Sequence, residues 1–307
     1  MYELNLIKNI TNILGSKYIG DDCAYLRDLG IVITQDSLVE DVHFVKTICT
    51  PYQIGYKSIM VNLSDIAAAG AEPKYLTVAL SLPSNTTENE VSEFYEGAKA
   101  ALQTCNAEIV GGDITASDKI CISVCAVGTT KDRKISSRKC ALPGYKIITS
   151  GLHGSSAAGL KILLENLKPD KELIKAHLMP TAQIEFSKNI AKHAKTDYAM
   201  MDTSDGLFDA LYKIGEASNC TMSVEFEKII YNPKIKEYFK NYKDLILFGG
   251  EDYQLVAAVP VELLSVLKDY IVIGDVLPYE ECFVKINYSD IIERYNNMPD
   301  KCYNHFE

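Results

Sequence analysis

No run of apolar residues in this 307-residue chain approaches the roughly 18 that a membrane-spanning helix needs, which excludes an integral helical membrane protein. The opening residues Met1-Tyr2-Glu3-Leu4 lack the basic and apolar regions of a signal peptide. Positive charge is scarce: 31 Lys and Arg stand against 41 Asp and Glu, a formal net charge of −10. That balance excludes nonspecific nucleic-acid binding, which rests on basic surface. Low-complexity segments and internal repeats are missing. The nine cysteines, at 23, 49, 105, 121, 125, 140, 220, 282 and 302, have no framework spacing. Only Cys121 and Cys125 are close, and one C-x3-C without a second pair does not make a zinc site. Scattered thiols in odd number point to a reducing cytosol. There is no G-x4-G-K-[ST] phosphate loop, no H-R-D with D-F-G, no EF-hand loop and no G-x-S-x-G elbow. Tryptophan is absent altogether.

What is present is ordinary for a globular protein, with 47% apolar and 23% charged residues. The length allows two domains. Helical periodicity is clearest over 51–70, where Thr50-Pro51 supply N-cap and first turn and Gly70 the stop. Ile59, Leu63 and Ile66 form an apolar stripe, and Ser58, Asn62 and Asp65 fall on a second face. Asp is a poor helix former, and the three alanines after Ile66 allow something to approach closely. The polar face reads either as solvated or as one wall of a metal or phosphate site.

Around this helix the chain alternates. Residues 3–14 read as an amphipathic helix, 31–34 as a strand running into Gln35-Asp36-Ser37, and 75–82 as a second strand. Thr87-Glu88-Asn89-Glu90 is a capping box that starts a helix. A short strand at 108–110 is expected to stop at Gly111-Gly112-Asp113, and another covers 120–127. The basic run 131–139 marks a boundary, with an N-terminal domain over 1–137 and a C-terminal domain over 138–307. In the second, strands at 145–149, 198–201 and 270–274, and one ending at Val259, alternate with helices opening near Gly154, Pro180, Gly206 and Val261. The expected fold class is α/β (α+β), as two mixed α/β domains.

Acidic residues recur at strand ends. Asp21-Asp22, Asp36, Asp113, Asp202 and Asp205 each follow a strand or a Gly/Ser turn, and Asp65 joins them from the helix. Each alone reads first as a turn residue. Together they are the hard oxygen donors that Mg²⁺ or Ca²⁺ prefers. Cations in such a cleft reverse the local field and admit a polyanionic phosphate ligand. The helix N-terminus after Gly206 offers N–H groups for anionic oxygens.

The chain shows, in order, I-G-D-D-C-A at 19–24, T-Q-D-S-L-V-E-D-V-H-F at 34–44, N-L-S-D-I-A-A-A-G-A at 62–71 and V-G-G-D at 110–113. It continues with P-G at 143–144, S-A-A-G-L at 156–160, D-T-S-D-G-L at 202–207, G-G-E-D-Y at 249–253 and Y-N-H-F at 303–306. With these motifs, which span nearly its whole length, it resembles the thiamine-monophosphate kinases of the aminoimidazole-ribonucleotide-synthetase-like superfamily. The resemblance implies a homodimer built through the N-terminal domains, with ATP and several Mg²⁺ ions in a cleft and thiamine monophosphate as acceptor. It implies metal ligands at Asp21, Thr34, Gln35, Asp36, Asp65, Asp113, Asp202 and Asp205. Gly112, Asp113, Arg138 and Ser204 are then ATP contacts, and His43 and Glu251 substrate contacts, with the Glu251 anion suited to a cationic thiazolium ring. Two departures concern ring recognition. Asp300 or Lys301 falls where the family commonly has an aromatic residue, for which Tyr303 is a substitute, and Thr104-Cys105 stand where an aromatic could meet adenine.

The reaction so implied is in-line transfer of the γ-phosphoryl group to a phosphate. The acceptor oxygen is already ionised at neutral pH, because a second phosphate pKa lies near ~6. No general base is then needed, in keeping with the lack of a convincing catalytic His or Lys. Two anionic phosphates at contact repel by several kcal/mol even at an effective dielectric of about 20, which several cations would offset. Three competing readings remain. A ribonucleotide cyclase would activate a carbonyl oxygen, and a selenophosphate synthetase would want a reactive Cys in a flexible segment, which Cys23 after Asp22 fits poorly. A silent nucleotide- or metal-binding relative need not retain all the acids.

Overall fold

The structure, a computed structural model, describes residues 2–303. Of the motif at 303–306, only Tyr303 lies within the described residues.

The first half runs α1 (Tyr2–Leu14), β1 (Ala24–Leu26), β2 (Ile31–Val39), α2 (Pro51–Ala68), β3 (Glu72–Leu82), α3 (Glu88–Leu102), β4 (Glu108–Ala116) and β5 (Cys121–Thr129). The strands form one sheet in the order β1-β2-β5-β3-β4, in which only β3 and β4 are parallel. Helix α2 starts on a capping box: Thr50 Oγ1 accepts from Gln53 N at 3.3 Å, and Gln53 Oε1 accepts from Thr50 N at 3.0 Å. Gly70, at φ +85°, ends it. Helices α2 and α3 touch through two glycines. A Cβ on Gly55 would lie 1.9 Å from Phe94 O, and one on Gly97 1.9 Å from Tyr52 O.

Three expectations need correction here. The polar face of α2 is not solvated: Ser58 and Asn62 are fully buried, as are Ile59, Leu63 and Ile66. The close approach allowed by its alanines is made by the second half of the chain. Ala67 and Ala68 pack with Ile190 and Tyr198, and their carbonyls accept from Ser187 Oγ and Ser136 Oγ at 2.6 Å each. The strands also run further than the apolar patterns suggest. β2 continues through Asp36 to Val39 along β5, and β4 continues through Gly111-Gly112-Asp113 to Ala116 along β3. Gly112 belongs in that ladder because a Cβ there would lie 1.9 Å from Val78 O.

The second half comprises β6 (Lys146–Thr149), α4 (Ser155–Leu164), α5 (Lys171–Leu178), α6 (Ile184–His193), β7 (Ala199–Asp202), α7 (Leu207–Ser218), β8 (Cys220–Glu225), α8 (Lys234–Tyr238), α9 (Tyr242–Phe248), β9 (Leu255–Val259), β10 (Ile271–Pro278), β11 (Val284–Asn287) and β12 (Ile292–Tyr295). Its seven strands lie in the order β12-β11-β8-β10-β6-β9-β7. One face carries a core of Phe208, Leu211, Ile246 and Val256. The other packs Met200 and Leu255 against Ile190 and the alanines of α2. Helix α6 begins at Ile184, four residues after Pro180, and the helix expected at Val261 is a single 3₁₀ segment, Val261–Ser265. Among the described residues no helix is long and apolar enough to cross a membrane.

Candidate active site

A cleft of about 550 Å³ lies between the halves. Val61 and Asp65 of α2 line it with Asp36 of β2 and His43 of the following loop. The second half contributes Ser204 and Asp205 after β7, Glu251 and Tyr253 before β9, and Tyr303.

Three carboxylates converge beside this cleft. Asp22 from the loop before β1, Asp65 from α2 and Asp202 from the end of β7 each offer an oxygen within 4.8 Å of the others. Local hydrogen bonds aim them. Thr34 Oγ1 donates to Asp65 Oδ2 at 2.5 Å, Ser64 Oγ to Asp202 Oδ2 at 2.6 Å, and Arg138 Nη2 to Asp22 Oδ1 at 2.7 Å. Asp36 N donates to Asn62 Oδ1 at 3.1 Å, tying β2 to α2. Burial pushes the Asp65 carboxyl well above its ordinary range; Asp36, Asp202 and Asp22 push the same way and the Thr34 hydroxyl opposes. Burial, reinforced by Asp22, lifts Asp202 to about 8 against the bond from Ser64. Carboxylates held together away from water destabilise one another unless protonated or bridged by a cation. An all-oxygen, acidic donor set of this kind fits Mg²⁺. Cys23 also sits here, donating to Asp65 O at 3.3 Å, but its thiol is buried and its pKa is driven up by that burial. That is a poor setting for a nucleophile.

The expected site residues divide into groups. Asp65 and Asp202 converge, and Thr34 supports them. Asp36 and Asp205 line the same cleft, Asp205 within 3.2 Å of Lys213, which also pairs with Asp209 at 2.7 Å. Asp21 does not join the cluster: it accepts from Ser137 Oγ at 2.9 Å and Arg138 N at 2.8 Å, and Asp22 takes the place beside Asp65. Gln35, Gly112 and Asp113 lie on the opposite face of the first sheet. Successive side chains of a strand point to opposite sides, so with Thr34 and Asp36 against α2, Gln35 must face away. It donates to Ser123 Oγ at 3.2 Å and shares an open hollow with Gly112 and Asp113. Within one chain these three are therefore separated from Asp65 by the sheet itself. Ser204 lines the cleft and its carbonyl accepts from Glu251 N at 2.7 Å. His43 Nδ1 accepts from Val39 N at 3.1 Å, which puts the proton of the neutral ring on Nε2.

Glu251 is held from both sides. Lys57 Nζ lies 2.6 Å from Oε1, and His177 Nδ1 3.3 Å from Oε2. Ser64, Lys57 and His177 are the site residues that the sequence reading missed, and Asp22, named there beside Asp21 among the acidic donors, was left out of the ligand set. The I-G-D-D pair was the signal for Asp22. For Lys57 it was the spacing Lys57, Val61, Asp65 on α2, one residue per turn on one side.

Comparison with known proteins agrees with this architecture. The family AIR synthase related protein, N-terminal domain, matches residues 20–130. The thiamine-monophosphate kinase of Aquifex aeolicus is 38% identical over 292 residues, covering 92% of this chain and 94% of its own. That of Bacillus subtilis is 35% identical, covering 81% and 79%. A solved structure described as AaThiL complexed with AMPPCP and TMP has a TM-score of 0.85 at 36% identity, over 94% of this chain and 95% of that one. Hydrogenase maturation protein HypE, at 18% identity and a TM-score of 0.75 over 93% and 95% of the two chains, shares the fold. The chain belongs to the thiamine-monophosphate kinase family.

Proposed function

We propose that this protein transfers the γ-phosphoryl group of ATP to the phosphate of thiamine monophosphate, giving thiamine diphosphate and ADP. The observation that carries the reading is the three-carboxylate cluster beside a cleft that also holds His43 and Glu251. Family membership supports it, as does the related structure described with the ATP analogue AMPPCP and with TMP. Asp22, Asp65 and Asp202, with Asp36 and Asp205 nearby, would hold Mg²⁺, which when bound supplies charge neutralisation for the phosphates. Thr34 and Ser64 fix the orientation of two of these carboxylates. Arg138 stands beside Asp22 as a cation for the nucleotide, and the start of α7 after Gly206 offers N–H groups to anionic oxygens. His43 and Glu251 hold the acceptor's ring end, where Tyr303 is an exposed aromatic side chain of the same cleft. The acceptor phosphate is already ionised, so the side chains bind and orient, and none needs to take a proton.

The reading includes a homodimer. The outer face of the first sheet is exposed at Tyr75, Thr77 and Ala79, with Val110 and Ile114 beside it on β4. A second copy covering that face would bring its own groups to Gln35, Gly112 and Asp113, the remaining ATP and metal candidates. We place the domain boundary at 137/138, in the stretch between Thr129 and Lys146 that carries no strand. Nine unbridged cysteines suit the cytoplasm.

The test is ADP release from ATP and Mg²⁺ with and without thiamine monophosphate. Release that requires the acceptor is expected; release independent of it contradicts the reading. Label from γ-labelled ATP chasing through a phosphorylated side chain would replace direct transfer with a two-step route.

A further inference from the structure

Glu251 is more constrained than a simple cleft anion needs to be. Its backbone is left-handed, at φ +66°, and its N–H is bonded to Ser204 O. The next residue, Asp252, accepts from Gly154 N and from Ser156 N at 2.8 Å at the start of α4. Both carboxylate oxygens have a nitrogen nearby, from opposite halves of the molecule: Lys57 Nζ of α2 pairs with Oε1, and His177 Nδ1 of α5 lies 3.3 Å from Oε2. His177 Nδ1 is also 3.1 Å from Ser156 Oγ. The Lys57 side chain is 5% exposed, while that of Glu251 keeps 26%. A carboxylate has about four lone-pair positions, so with Lys57 on one oxygen others remain for a ligand in the cleft.

We infer that Lys57 is a positioning residue: it pins Glu251 as an acceptor-only carboxylate that selects a ring bearing an exocyclic amino donor. The inference rests on the kinase reading above and names how its ring site discriminates. Burial alone would raise the Glu251 pKa, yet Lys57 and then His177 bring it below the ordinary range. Burial lowers the pKa of His177 to about 4, so His177 is neutral at pH 7 and Lys57 supplies the full charge. The Lys57–Glu251 pair is thus neutral overall. Its contribution to a cationic ring is less a bare attraction than a fixed hydrogen-bond acceptor. The exocyclic amino group of an aminopyrimidine satisfies that acceptor; in the oxo analogue the exocyclic atom is itself an acceptor, the donor moves to the adjacent ring nitrogen, and the carboxylate faces a second acceptor. Lys57 also shares one side of α2 with Asp65, eight residues on, so the residue that pins the ring anchor and the metal carboxylate stand about 12 Å apart in rise along one rigid helix.

The test compares wild type, Lys57→Met, Glu251→Gln and the double variant, using thiamine monophosphate and its oxo analogue, oxythiamine monophosphate. Lys57→Met should raise KM for thiamine monophosphate about tenfold or more, the loss expected for a charge-assisted hydrogen bond. KM for ATP should stay unchanged, and the preference for the amino over the oxo acceptor should shrink. The double variant should be no worse than either single one, and Lys57→Arg should restore part of the loss. Multiplying effects, or an amino-to-oxo preference unchanged in Lys57→Met, would overturn the inference. Thermal denaturation of the same four unliganded proteins tests the pair independently of turnover. Non-additive melting shifts are expected, and additive shifts would remove the pinning itself. Wild type inactive on thiamine monophosphate would count against the kinase reading, while the denaturation cycle would still decide whether the pair is coupled. Should Lys57→Met fail to fold because it strands a buried carboxylate, the double variant, which removes both charges, should fold.

Discussion

The two sheets of this protein are covered differently. The seven-stranded sheet has packed cores on both faces, and β7 and β9 are buried along their whole length. Their sequences accordingly read as unbroken apolar runs, Ala199-Met200-Met201 and Leu255-Val256-Ala257-Ala258-Val259. The five-stranded sheet is packed on one face only, so its inner strands β2, β5 and β3 alternate, and β2 sends Thr34 and Asp36 inward but Gln35 outward. The first arrangement is a scaffold that presents Asp202 from a strand end. The second divides candidate ligands between a buried cleft and an open face. The side of the sheet on which a residue stands therefore decides whether it reaches the cleft of its own chain.

Asp65→Asn should break the cleft side. Activity should fall by about a hundredfold or more, the scale of losing one preorganised charge-stabilising group. Without Mg²⁺ the variant should melt above wild type, because a buried like-charge contact is relieved, and the melting shift on adding Mg²⁺ should largely vanish. Asp113→Asn, on the open face, should lower activity yet leave the metal-free melting temperature unchanged. Equal metal-free shifts in the two variants would contradict the division into faces.

Packing gives the next largest effect. Gly55→Ala puts a Cβ 1.9 Å from Phe94 O and should cost about 1–3 kcal/mol or more in urea denaturation. Gly111→Ala has nothing within 4 Å and should change stability little. Ile114→Lys, on the exposed edge of the first sheet, should shift sedimentation toward monomer at low protein concentration while the chain stays folded.

A third test belongs to the doubly covered sheet. His153 lies in the loop between β6 and α4, fully buried, with Nε2 2.7 Å from Thr149 Oγ1 of β6, and burial lowers its pKa to about 3. Unfolded, it titrates near ~6.5. Between these values the unfolded chain binds a proton that the folded one does not. Its stabilising contribution is therefore complete above about 6.5 and declines as pH falls toward 3, by up to about 1.4 kcal/mol per pH unit. The stability difference between wild type and His153→Gln should shrink from pH 7 to pH 4. A constant difference would mean that His153 is not held neutral.

Much of this was legible in the sequence where the determinants are local. The caps of α2, its apolar stripe and the placement of Asp65 follow from short-range rules. So do the capping box of α3 and the β7–α7 junction around Asp202 and Gly206. What was not legible depends on distant contacts. Asp21 and Asp22 are equivalent by sequence, and the choice between them is made by Ser137 and Arg138, more than a hundred residues away. Gly112 looks like a strand stop until β3 is alongside to require it. The Lys57–Glu251 pair joins positions 194 residues apart, a contact that no pattern within α2 reveals. The faces of Gln35 and Asp36 follow from simple alternation, but a family motif groups the two as one unit.

Phosphorus NMR of the protein with ATP, Mg²⁺ and thiamine monophosphate tests the central claim most directly. The acceptor's phosphomonoester signal should give way to the paired resonances of thiamine diphosphate, in step with ADP and with no inorganic phosphate. An unchanged acceptor signal, or ATP broken down to ADP and inorganic phosphate beside it, would contradict the account.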